Sequence, residues 1–144
     1  MTENVMSIIL IKYIKDMEEK ELNHLLKSLD ITLSQAKALS ILSGHPDRQA
    51  ALKYLEKELD LAQSVTAGII VRLEQKKYVE SFGDSSDKRI KIVRITALGE
   101  QKYQASQKVL EELESKVLSD LTDDEKRQFK NLLIKVKNTL QTKV

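Results

Sequence analysis

Apolar residues between Asn4 and about Leu29 recur every three or four positions: Val5, Ile8, Ile9, Tyr13, Ile14 and Met17, then Leu22, Leu25, Leu26 and Leu29. That spacing predicts one long helix. Its first turns are apolar nearly all round, so it needs cover on more than one side, which a partner subunit can supply. A second helix begins near Thr32, where Thr32 and Gln35 have the spacing of a reciprocal cap. Gly44-His45-Pro46-Asp47 breaks the pattern, and a third helix follows with Leu52, Leu55 and Leu59 on one face. Asp60 stands just beyond it, a residue type that tolerates left-handed backbone.

The fourth helix, about Ala62 to Lys77, divides into two faces at 100° per residue. Ala62, Val65, Thr66, Ile69, Ile70 and Leu73 share one side and are expected to face the core. Ser64, Ala67, Gly68, Val71 and Gln75 fall opposite, with Gln63 and Arg72 on the flanks. Strand signals follow at Tyr78–Phe82 and Ile90–Ile95, joined by a polar tip, Gly83-Asp84-Ser85-Ser86-Asp87-Lys88. Thr96 is placed to cap the next helix, in which Tyr103, Ser106, Leu110, Leu113 and Val117 form a narrow seam. Thr122 and Glu125 make a second capping box before a last helix with Phe129, Leu132, Leu133, Val136 and Leu140 on one face. The expected fold is mainly α with a small β-hairpin wing: a winged helix-turn-helix with dimerisation helices at the N- and C-terminal ends. Those terminal helices carry more apolar surface than a small winged domain uses, which favours a homodimer over packing within one chain.

Composition narrows the class. At 144 residues, 41% hydrophobic and 32% charged, the chain is expected to be one soluble globular domain. A single core at this size buries roughly 70% of the surface exposed by the unfolded chain. There is no cysteine, which excludes disulfides and thiolate metal sites within this chain. The longest apolar stretch, Val5 to Ile14, includes Lys12 and falls far short of the ~20 residues of a membrane span. It also lacks the features of a secretory signal, so a cytoplasmic location and no membrane partner are expected. Net charge is only +2, but residues 1–61 carry −2, residues 62–94 carry +3 and residues 95–144 carry +1. The positive excess coincides with the fourth helix and the hairpin, where a phosphate-facing surface needs it.

The outward side of the fourth helix has no carboxylate and only small or medium side chains, which suits entry into a groove lined by phosphates. At the hairpin tip an arginine can reach into a minor groove, and a carboxylate two residues earlier can orient it. Asp87 and Arg89 have that spacing, with Lys88 between them. Glu21 and His24 lie one turn apart and amount to half a metal site, but His24 and His45 are read as surface residues. No nucleophile–base–carboxylate set and no glycine-rich phosphate loop appear, so neither catalysis nor a cofactor is expected.

Residues 31–100 resemble the core of the MarR family of bacterial winged-helix transcriptional regulators. The pieces that match are ITLSQAKAL (Ile31–Leu39), VRLEQKKYVE (Val71–Glu80), DSSDKR (Asp84–Arg89) and Ile95-Thr96-x-x-Gly99. The flanking helices are similar to that family's dimer-forming ends. The resemblance implies one domain over 1–144: a DNA-binding core at 31–96 and dimer helices at 1–30 and 97–144. It implies a homodimer on pseudo-palindromic double-stranded DNA, with the fourth helix in the major groove and the hairpin in the adjacent minor groove. Arg89 would be the wing arginine and Asp87 its orienting partner, with Gln63, Ser64, Ala67 and Gly68 in the groove and Arg72 and Lys88 beside them. A small-molecule effector would bind between the winged core and the dimer helices, with Tyr13, Tyr54 and Tyr103 as candidate walls. The chain departs from the family pattern at Glu56, where alanine is usual; at Ala62, where a hydroxyl usually caps the fourth helix; at Gly68, where a basic residue is common; and at Lys77, where glycine is frequent. The alternative reading is a winged-helix protein-interaction module that does not read DNA.

Overall fold

The computed structural model describes residues 4–143. The chain divides between Leu110 and Glu111 into two compact units. The first unit contains α1 (Ser7–Lys27), α2 (Leu33–Ser43), a 3-10 turn (Pro46–Arg48), β1 (Gln49–Ala51), α3 (Leu52–Leu59), α4 (Gln63–Gln75), β2 (Val79–Gly83) and β3 (Lys91–Ile95). The helix α5 (Ala97–Val117) starts in the first unit and ends in the second, which also contains α6 (Asp123–Lys143).

The three strands form one antiparallel sheet in the order β1-β3-β2. Ala50 faces Val93, and Val79 faces Ile95. The wing pairing expected from the sequence is present. The strand β1 is an addition: three residues with no alternating pattern, paired only because β3 offers a free edge. Inward-facing Val79, Val93 and Ile95 join Leu39, Leu42, Leu55, Ile70 and Leu73 in the core. Leu22 and Leu26 bury the last turns of α1.

Local chemistry sets the boundaries. The Gln35 amide donates to Thr32 Oγ1 (3.1 Å) and the Thr32 amide donates to Gln35 Oε1 (3.2 Å), closing the box that begins α2. Asp60 ends α3 in the left-handed region (φ 53°), its amide reaching back to Glu56 and Lys57. Lys77 is also left-handed, with φ 65°. That conformation is the physical reason glycine suits this position. The Thr96 hydroxyl accepts from the Gly99 amide (3.0 Å) and donates to the Lys77 carbonyl (2.7 Å), which fixes the start of α5 to the root of the wing. Gly99 is required by the same contact: a Cβ there would lie 2.1 Å from the Tyr78 carbonyl oxygen.

One part of the expected amphipathic pattern is corrected. Ala62 and Val65 share the core side of α4 by angle, yet both are exposed. Residues 61–65 are all exposed, so the first turn runs out beyond the packed body and the buried stripe begins at Thr66. In α1 the residues Ile8, Ile11, Tyr13, Ile14 and Met17 are all exposed within one chain, as is Met6 just before it. In the second unit Thr122 and Glu125 form the expected capping box, and Leu132, Leu133, Val136 and Leu140 stay exposed along α6.

Candidate nucleic-acid interface

The outer side of α4 takes its character from short side chains. Gln63, Ser64, Gly68 and Arg72 are exposed and Ala67 is half-buried. Val71, in the middle of that side, is 45% exposed. A Cβ added at Gly68 would meet nothing within 4 Å, so no neighbour inside the protein requires a glycine there. No acidic residue lies in the first turn, and the N-cap residue Ala62 makes no side-chain cap bond. The opposite side is anchored by Thr66, Ile69, Ile70 and Leu73. Thr66 Oγ1 is buried without a hydrogen-bond partner among the described residues.

The wing rises beside this helix. Asp84 turns the chain at the tip by accepting from the Ser86 amide and hydroxyl, and the Ile90 amide closes on the Asp87 carbonyl at 3.0 Å. Arg89 donates from Nε to Asp87 Oδ1 and from Nη2 to Asp87 Oδ2, both at 3.0 Å. Its backbone amide donates to the same carboxylate, also at 3.0 Å. The guanidinium beside Asp87 lowers the carboxyl's pKa below its ordinary value and raises the arginine's. The fork is bidentate, yet the Arg89 side chain remains 92% exposed. Lys88 is exposed next to it. Thus Asp87 and Arg89 meet as expected, and Gln63, Ser64, Gly68 and Arg72 present themselves outward from a single helix.

Sequence reasoning gave Glu74 no role. The structure joins it to both wing strands: Ser81 Oγ donates to Glu74 Oε1 at 2.5 Å, and Lys91 Nζ lies 3.0 Å from the same oxygen. The Ser81 hydrogen bond, with Lys91 assisting against partial burial, lowers the Glu74 pKa below its ordinary value. These partners lie seven and seventeen residues away across a turn and a hairpin, so no helical spacing announces them. The reverse side of the wing has its own pair: Arg94 donates to Glu80 at 2.6 Å and sits 4.9 Å from the Phe82 ring centre.

A cleft of about 590 Å³ lies within the first unit, walled by Leu22, Ala36, Ile41 and Tyr103 and edged by Glu18, Lys37 and Glu58. Of the three tyrosines considered as walls, Tyr103 lines it. Tyr13 is exposed on α1, and Tyr54 stacks edge-on against His45 with ring centres 4.5 Å apart. Tyr54 is 39% exposed, and the ring contact with His45 is what holds it. His24 is exposed, and among the described residues no three His, Cys, Asp or Glu side chains gather as metal ligands.

Comparison with known proteins agrees with this geometry. Residues 31–99 match the family described as a winged helix DNA-binding domain. The HTH-type transcriptional regulator BilQ of Clostridium symbiosum is 31% identical over 77 residues, covering 54% of each protein. The chain therefore spans about half the length of that curated relative. Wild-type MarR of E. coli in its apo form superposes with a TM-score of 0.79 at 28% identity, over 92% of this chain and 96% of that one. A MarR mutant complexed with operator DNA gives 0.75 at 27% identity, over 88% and 90%. The S. aureus MepR–DNA complex shares the fold, with a TM-score of 0.81 at 24% identity over 94% and 99%.

Proposed function

We propose that the chain is a winged-helix transcriptional regulator of the MarR kind, that it binds pseudo-palindromic operator DNA as a homodimer, and that it acts as a ligand-responsive repressor. In this proposal the DNA-binding core spans 31–96, and the helices of 1–30 and 97–144 form the dimer. Gln63, Ser64, Ala67, Gly68 and Arg72 address the major groove. Lys88 and Arg89 reach the adjacent minor groove, with Asp87 holding the arginine's direction. The observation that carries the proposal is the pairing of a carboxylate-free outer side on α4 with an exposed wing arginine already held in a fork. A bare helix side without negative charge can approach a polyanion closely, and a held guanidinium loses little freedom on contact.

Two copies would set their α4 helices about 34 Å apart to enter successive major grooves on one side of the duplex. A ligand in the cleft beside Tyr103 would act by favouring one spacing over another, since only differential binding shifts such an equilibrium. Among the described residues no helix is long and apolar enough to cross a membrane, and we place the protein in the cytoplasm. The exposed valines Val65 and Val71 favour a second reading, in which α4 packs on a protein partner.

Selection of bound fragments from the protein's own genomic DNA, followed by gel-shift titration, tests both. Binding that weakens steeply with salt and is reduced, yet still measurable at low salt, in Arg89→Ala supports the regulator. A well-folded dimer that shifts no fragment at low salt overturns it and leaves the protein-interaction reading.

A further inference from the structure

Glu74 lies in the last turn of α4, on the flank that turns toward the sheet. Its carboxylate touches Ser81 of β2 and Lys91 of β3 through the same oxygen. Ser81 pairs with Val93 and Gly83 with Lys91, so Ser81 and Lys91 are diagonal neighbours on the inner side of the hairpin. Below them the wing is held by burial, at Tyr78, Val79, Val93 and Ile95. Above them it is not: residues 81–92 include none that is buried. The carboxylate is therefore the outermost tie between helix and hairpin before the tip that carries Arg89. Lys91 also compensates its charge, so the one acidic side chain on that flank adds little negative field beside the outer side of α4.

We propose that Glu74 is a positioning residue for DNA binding, clamping both strands of the wing to α4 so that Arg89 and the outer side of α4 address neighbouring grooves of one duplex. The role rests on the function proposed above. Glu74 itself touches no DNA. It acts through the direction of the hairpin, and its effect must therefore depend on Arg89.

A double-mutant cycle on a fragment bound by the wild-type protein tests that dependence. Glu74→Ala is expected to weaken binding about tenfold when Arg89 is present and less than about twofold in the Arg89→Ala background. Ser81→Ala, which leaves the charge pair with Lys91, is expected to give a smaller loss, and Glu74→Gln, which keeps an acceptor for Ser81, an intermediate one. Thermal unfolding and sedimentation establish that each variant is folded and assembled as the wild type is. In the free protein, residual dipolar couplings of β2 and β3 are expected to change relative to those of α4 in Glu74→Ala. Equal losses in both backgrounds, or unchanged couplings, would overturn the role while leaving DNA binding intact. Failure of the wild-type protein to bind any fragment would overturn the function and this role with it.

Discussion

The first half of α1 and the outer side of α4 are both exposed helical surfaces, and they are opposite in kind. The former displays long aliphatic side chains, with Ile8 66% and Met17 67% exposed. The latter displays Ser64, Ala67, Gly68 and Val71, with a cation at Arg72 on its flank and the wing cations Lys88 and Arg89 beyond it. Water penalises the first surface in proportion to its apolar area, so it is stable only when another apolar surface covers it. The second exposes less apolar area, chiefly at Val71, and admits a close, negatively charged partner. The size and charge of the exposed side chains thus separate a surface suited to a second copy of this chain from a surface suited to DNA.

The sharpest way to break this contrast is to charge α1. Ile8→Glu with Ile11→Glu is expected to raise the dimer dissociation constant about a hundredfold, with little loss of monomer fold, because both side chains are already exposed. Sedimentation across a concentration series reads it, and a dimer of wild-type strength would assign that surface elsewhere. Two helical glycines sharpen the other half. Gly99→Ala should cost about 2 kcal/mol in thermal unfolding, because its Cβ would meet the Tyr78 carbonyl. Gly68→Ala should instead stabilise the fold by roughly 0.5–1 kcal/mol, since the space is open and alanine favours helix. It should also weaken DNA binding several-fold if a duplex uses that space. A smaller effect is expected from acid. The Glu74 pKa lies below its ordinary value, so the stability it contributes is fully present above the usual carboxylate range. That contribution fades as pH falls through the lowered pKa. The difference in melting temperature between wild type and Glu74→Gln should therefore shrink on acidification.

Much of this was legible in the chain. Capping boxes are local, so Thr32 with Gln35 and Thr122 with Glu125 announced their helices. The fork between Asp87 and Arg89 spans two residues and was equally readable. What escaped is non-local. Gln49–Ala51 became a strand because β3 had an unpaired edge. Angle alone placed Ala62 and Val65 inward, but no packed neighbour extends as far as the first turn of α4. Glu74 meets its partners only after the hairpin has folded back on the helix.

Among the described residues every left-handed position is occupied by something other than glycine: Asp30, Asp47, Arg48, Asp60 and Lys77. A side chain in that conformation holds the backbone at a cost of about 1 kcal/mol. Lys77, exposed at the foot of the hairpin, is the cheapest place to recover some of that cost. A Lys77→Gly variant is expected to melt slightly higher, leaving both partner-seeking surfaces as they are. An engineer wanting a hardier version of this protein would start there, where stability has been left unclaimed.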